Sequence, residues 1–237
     1  MMERHVYCQA KCRQAYWNPD VLLERGESFL DQKVTCKILT YTKMIEYNTS
    51  ETAYILQYRP SILIYGGKRM AEIIKTYKQN IKAMRFIGKR YDDHDRVNGT
   101  FGAKWEEWFE NGWFGMMECQ AGGRLKDVYE DGDAYIGLMR GGGNVSFEYW
   151  IGCFVPADTM VPEGFDCIDF PAGELGVCWV YGKENEVYFQ EVQCGKRLEQ
   201  DGFQICYDWC LERYVCPRFT TPDDNGNIIL DICFFIQ

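Results

Sequence analysis

Imidazole is nearly absent from this chain, whose 237 residues include two histidines, His5 and His94. Neither stands in a recognisable motif and no Cys-Xaa-Xaa-Cys pair accompanies them, so no four-ligand zinc set can be assembled from them. A Gly-Xaa-Ser-Xaa-Gly turn is missing as well, which with so little histidine argues against an independent hydrolytic triad. The glycine run Gly141-Gly142-Gly143 is not followed by Gly-Lys-Ser/Thr, so it predicts a hairpin turn and not a phosphate cradle. No metal and no cofactor is therefore expected. Apolar runs of about 18 or more residues are lacking too, and the opening MMERHVYCQAKCRQ has no apolar block of the kind a secretory signal carries. The expected compartment is the cytoplasm, with no membrane partner, and the sequons at Asn48, Asn98 and Asn144 are then coincidental.

Apolar and sulfur-bearing side chains are plentiful. Hydrophobic residues make up 46% of the chain, ample for the core of one large domain or of a standard domain with an appendage. Of the twelve cysteines, Cys153, Cys167, Cys178, Cys206, Cys210, Cys216 and Cys233 lie singly in apolar or strand-like stretches, the pattern of reduced, mostly buried thiols acting as small hydrophobes. The net charge of −9 hides a division: residues 1–90 carry 16 Lys or Arg against 8 Asp or Glu, and residues 91–237 carry 10 against 27. A basic front on an acidic body suits a polyanion-facing segment joined to a domain that avoids polyanions. Uneven surface charge on a single domain is the alternative.

Along the chain, Asn18-Pro19 followed by Asp20–Arg25 predicts a capped helix, and Glu27–Asp31 can open a second. A boundary near residue 80 follows, giving a basic N-terminal segment over 1–80 and a second unit over 81–237; Ala71–Asn80 fits an arm, an extra helix or an edge strand equally well. From there the periodicities are regular. A strand over Met84–Arg90, a helix over Thr100–Asn111 with Phe101, Trp105, Trp108 and Phe109 at spacings of three and four, and strands over Ala134–Met139 and Phe147–Val155 come first. A strand over Gly176–Gly182, a helix over Glu186–Gln200 and strands over Tyr207–Cys216 and Ile228–Ile236 repeat that order. The predicted fold is α+β: duplicated β-α-β-β units in pseudo-twofold relation forming antiparallel sheet, helices on one face, a ligand cleft on the other, and a small, mainly helical N-terminal segment.

Within Asp208–Cys216, strand alternation sends Asp208, Cys210, Glu212, Tyr214 and Cys216 to one face and Trp209, Leu211, Arg213 and Val215 to the other. Glu212 is a carboxylate at a strand centre among apolar neighbours. Such a group is costly to desolvate, so it is paired, protonated through a raised pKa, or held for a cation; an edge glutamate in solvent or one tied to a backbone amide is the plainer alternative. Arg213 points away from it, Tyr214 is its nearest donor on the same face, and Trp209 is assigned to the helix-packed face.

Two resemblances add to this. LLERGESFLD, with Tyr41–Ile45 and Thr52–Tyr54 after it, resembles the link between the helix-turn-helix units of AraC-type transcription regulators, in divergent or truncated form, because the usual glycine and proline near Thr49–Thr52 are absent. From Ile81 to Gln237 the chain resembles the GyrI-like effector-binding domains of AraC-type and MerR-type regulators. The matching words are Phe86-Ile87-Gly88, Tyr149-Trp150-Ile151-Gly152, Val161–Phe165, Phe170–Gly173, Trp179–Gly182 and Glu212-Arg213-Tyr214 with Cys216-Pro217. The resemblance implies a cleft between the repeats in which a glutamate, here Glu212, binds or orients a small molecule among aromatic rings, and those rings suit a cationic or lipophilic one. Tyr214, Tyr149, Trp150, which shares a strand face with Gly152, Trp179, which shares one with Val177 and Tyr181, and Trp105 are the further ligand-binding candidates, although a helix stripe like that of Trp105 is more often core than ligand wall. It also implies DNA as a partner of residues 1–80, and leaves a homodimer open. Some free-standing relatives are small-molecule hydrolases, so in the alternative reading Glu212 is a general base assisted by Tyr214.

Overall fold

In the computed structural model, residues 71–142 and 145–237 are described; the expected helix-turn-helix segment before residue 71 lies outside them. Eight strands build one antiparallel sheet: β1 (Glu72–Ile81), β2 (Met84–Tyr91), β3 (Tyr135–Gly142), β4 (Val145–Pro156), β5 (Asp166–Phe170), β6 (Gly173–Gly182), β7 (Ile205–Tyr214) and β8 (Ile228–Ile236). Their order across the sheet is β1-β6-β8-β7-β3-β4-β2-β5. The four α-helices among the described residues are α1 (Gly102–Glu110), α2 (Trp113–Ala121), α3 (Glu184–Val187) and α4 (Glu191–Gln200). None is long and apolar enough to cross a membrane.

That order is a duplication. The set β6-β8-β7 and the set β3-β4-β2 meet at the β3–β7 seam in opposite sense, each set holding its helices between its first and second strands in sequence. The strand preceding each unit crosses over: β1 pairs with β6 of the second unit, and β5 pairs with β2 of the first. The segment Ala71–Asn80 is thus mostly an edge strand and the counterpart of β5, so the sheet takes in residues 72–80, ahead of the expected boundary at 81. Helix α2 was not anticipated; it is set off by Gly112 and Gly122, both in the left-handed region at φ 65° and 60°. The single helix expected over Glu186–Gln200 is two, separated at Tyr188–Gln190, where Phe189 has φ 60°.

The sheet is strongly rolled. Phe170 on β5 stacks on Phe235 of β8 with ring centroids 4.7 Å apart, although five strand spacings, about 24 Å in a flat sheet, separate those strands. The face on which they meet is the concave one, filled by its own side chains, among them Phe86, Phe154, Leu138, Leu175 and Leu211. Close approach is made possible by the paired Gly88 and Gly152 on β2 and β4. A Cβ at Gly152 would lie 2.1 Å from the Ile87 carbonyl oxygen and 2.8 Å from the Phe86 ring, so the ring can only lie over bare backbone there. All four helices pack on the convex face, where Trp105, Trp108, Phe114, Val187 and Leu198 cover Ile151, Val180, Leu230 and Ile232. Trp209 is corrected by this: it is on the helix-free concave face, against Phe170. Alternation separates two sets of side chains without saying which set the helices cover, and in a rolled sheet both are buried.

Arg213 lies at the heart of the concave face with no exposed surface. Its Nε and Nη2 donate to Asp231 Oδ2 at 3.0 and 2.7 Å, Nη2 also donates to Tyr77 OH at 3.2 Å, and Nη1 donates to Gln79 Oε1 at 2.5 Å. Arg218 bridges Asp231 and Asp131, so two cations and two carboxylates close a neutral cluster. Cys153, Cys178, Cys210 and Cys233 are free and buried, as expected, and so is Cys194; Cys167 is free but exposed and Cys206 half-buried, because their strand positions face solvent, and Cys216 departs from the expectation in being disulfide-bonded. Asp231→Ala strips the cluster of one carboxylate and leaves a guanidinium uncompensated in the core, and is expected to lower the unfolding free energy by about 3–5 kcal/mol, measured by urea denaturation. A loss under about 1 kcal/mol would mean that the cluster behaves as a solvated surface pair.

Candidate functional site

Strand β7 carries Glu212 to the convex face, at the seam between the two units, directly opposite Gly137 of β3. The residue is 7% exposed, beneath the helices and on the side away from Arg213. Tyr214, two residues on and therefore on the same face, donates its hydroxyl to Glu212 Oε2 at 2.7 Å. Tyr149 of β4 donates to the same oxygen at 3.3 Å and accepts a bond from Trp105 Nε1 of α1 at 3.0 Å. A relay therefore runs from indole to phenol to carboxylate. The other carboxylate oxygen, Oε1, accepts no hydrogen bond from the described residues.

Aromatic rings enclose this group. The Trp105 and Tyr214 rings meet edge to face at 4.8 Å, and Phe101 lies flat on Tyr149 with centroids 4.2 Å apart and planes within 1°. Burial pushes the Glu212 carboxyl up to about 7, and the nearby Glu191 carboxylate adds to the shift. Hydrogen bonds from Tyr214 and Tyr149, with the positive charge of Arg96, oppose it without cancelling it. Two phenols do not replace the hydration of a full charge.

No family model matches this chain, and no curated protein matches it. Several solved structures share part of its backbone course. A candidate bacterial transcription regulation protein from Staphylococcus aureus MU50 has 14% identity and a TM-score of 0.49, over 69% of this chain and 98% of its own. SAV2435, solved bound to tetraphenylphosphonium, has 13% identity and a TM-score of 0.48 over 69% and 94%. EcmrR, from a DNA complex, has 12% identity and a TM-score of 0.45 over 69% and 57%. Likeness at that level does not say what this chain binds.

Of the six residues nominated from the sequence, the fold gathers Glu212, Tyr214, Tyr149 and Trp105. It separates the other two. Trp150 follows Tyr149 on one strand and so points to the concave face, edge-on to Phe86, its Nε1 donating to Glu148 at 3.0 Å. There it lines an open cavity of about 540 Å³ with Arg90, Val161, Phe165, Asp166 and Cys167. Trp179 also faces away, packed by Tyr77 and by the Lys75 ammonium 4.3 Å from its ring. The cleft expected opposite the helices is thus not where Glu212 lies. Among the described residues no group of three His, Cys, Asp or Glu could hold a metal ion.

Sequence reasoning missed Gly137, Phe101, Arg96 and Glu191. A Cβ at Gly137 would fall 2.5 Å from the Tyr149 hydroxyl and 3.2 Å from Glu212 Oε2, so a bare backbone on β3 makes room for the pair. Nothing in a lone glycine could have signalled that without the strand register.

The unfolded carboxyl titrates near 4.5 and the folded one near 7. Between these values the folded state keeps a proton that the unfolded state has released, so Glu212 makes stability fall as pH rises through the window, and the loss persists above it. Glu212→Gln keeps the shape and the acceptor without the charge. It is expected to be more stable than wild type at pH 8 by on the order of 2–3 kcal/mol, the difference shrinking toward pH 4.5, in paired thermal melts. Glu184, which burial also raises to about 7, titrates in both proteins and cancels in that comparison. A difference that does not vary with pH would show that the carboxylate is well solvated in the fold.

Proposed function

We propose that this chain senses small molecules, holding a lipophilic cation against Glu212 at the seam between the two units, in the manner of a GyrI-like effector-binding domain. The observation that carries the reading is a buried carboxylate with one oxygen committed to two phenols, the other accepting nothing from the described residues, and a wall of aromatic rings around it. A cation entering there neutralises the charge that burial has left costly and gains attraction to the ring faces. A neutral analogue of the same shape gains only the apolar contact. Differential binding to two arrangements of the chain would turn occupancy into a signal without breaking a bond. In the full proposal the protein is a cytoplasmic AraC-type regulator that contacts DNA through residues 1–80.

One observation favours a second reading, that of a hydrolase: a carboxyl near 7 is well placed to act as a general base at neutral pH. Conversion of small electrophiles such as epoxides by wild type, and its loss in Glu212→Gln, would favour that reading over sensing.

Tetraphenylphosphonium is a suitable probe, being apolar and singly charged. At about 100 times its dissociation constant it is expected to stabilise wild type by about 2.7 kcal/mol, seen as a rise in Tm. Triphenylphosphine oxide, neutral and similar in its rings, should give little shift, and Glu212→Gln should weaken the phosphonium about tenfold or more. Equal binding by wild type and Glu212→Gln would refute the site.

A further inference from the structure

The loop between β2 and α1 places a guanidinium at the outer end of the ring stack that leads to Glu212. The central carbon of the Arg96 guanidinium is 4.4 Å from the Phe101 ring centroid and 4.8 Å from that of Phe147. Phe101 has Tyr149 stacked on it at 4.2 Å, and Tyr149 donates to Glu212. Arg96 is fixed rather than swinging free: its Nε donates to Asp93 Oδ1 at 2.8 Å and its Nη1 to the Gly99 carbonyl at 3.2 Å. The turn through Asn98 and Gly99, at φ 52° and 78°, brings that carbonyl back to it. Glu212, Tyr149 and Phe101 are buried, whereas Phe147 and Arg96 are only partly so. The side of this ring stack that reaches solvent is therefore the side where the arginine stands; its charge opposes the effect of burial on Glu212, as the smallest of the influences there and against the larger, opposite one of the Glu191 carboxylate.

We infer that Arg96 is a specificity-determining residue of the Glu212 site, admitting lipophilic monocations and rejecting cations that carry a second positive charge. The inference rests on the sensing reading above. One positive charge is matched by the inner carboxylate. A second, outside the rings, meets a like charge already seated on Phe101 and Phe147; its ion pair with Asp93 at 2.8 Å reduces that charge toward solvent without removing it, and like charges at such a distance are only partly screened at physiological salt.

Ethidium and propidium make the test, because they share a phenanthridinium and propidium adds a quaternary ammonium arm. Fluorescence titration of the full chain is expected to show wild type binding ethidium about tenfold more tightly than propidium. In Arg96→Gln the ratio should fall to within about twofold, chiefly by a gain for propidium. Arg96→Lys keeps the charge while losing the planar stacking, and should preserve most of the discrimination. Equal affinities in wild type, or a ratio unchanged in Arg96→Gln, would overturn the assignment while leaving cation binding at Glu212 intact. Loss of discrimination in Arg96→Lys to the same extent as in Arg96→Gln would also overturn it, since bulk or stacking would then be responsible. Absence of binding by either dye and by tetraphenylphosphonium would sink the sensing reading itself, and this inference with it.

Discussion

Adjacent residues of opposite charge on one strand cannot neutralise each other, because the strand sends them to opposite faces. Glu212 and Arg213 are such a pair, in a rolled sheet buried on both sides. Each charge therefore needs its own environment. On the concave face Arg213 has a complete one, with Asp231, Asp131 and Arg218 closing a cluster in which every carboxylate meets a cation. On the convex face Glu212 has phenols and rings but no adjacent cation among the described residues. The difference between the two faces is the difference between a charge built into the fold and one left for something to complete.

The duplication explains why the unsolved charge is where it is. Two units meeting in opposite sense put β3 and β7 side by side, and Gly137 and Glu212 are directly paired across that seam. The empty position on one strand accommodates the carboxylate on the other and the Tyr149 hydroxyl from a third. The helix of the first unit then supplies the Trp105 indole that orients Tyr149. No single unit holds all of these parts, so the site exists only because the halves are joined.

Much of this could be read from the residues in order. Strands β2, β3, β4, β6, β7 and β8 follow from β-branched and aromatic alternation, and the recurrence of strand, helix, strand, strand gave the duplicated α+β fold. Glu212 stood out because a carboxylate among apolar strand residues is physically costly, and Tyr214 followed from parity alone. Trp150 is a candidate through the strand face it shares with Gly152 and Trp179 through the one it shares with Val177 and Tyr181, but parity of the strand separates Trp150 from Tyr149 next to it. What remained hidden depends on contacts between distant segments. Edge strands β1 and β5 are defined by crossing to the other unit, and α2 carries a glycine at 115 within a stretch too apolar for a clear stripe. Which face the helices cover, and the seating of Arg96 on Phe101, are set by register and rolling, which local patterns do not encode.

The most direct measurement of the central claim, that a cation relieves a carboxylate left short of compensation, is the proton count on binding. Calorimetric titration of tetraphenylphosphonium at pH 6.5 in buffers of differing ionisation enthalpy reports it. With the Glu212 carboxyl near 7, wild type is expected to release roughly three-quarters of a proton per cation bound, and Glu212→Gln to release none. Binding with no proton release by wild type, or with equal release by both proteins, would contradict the claim.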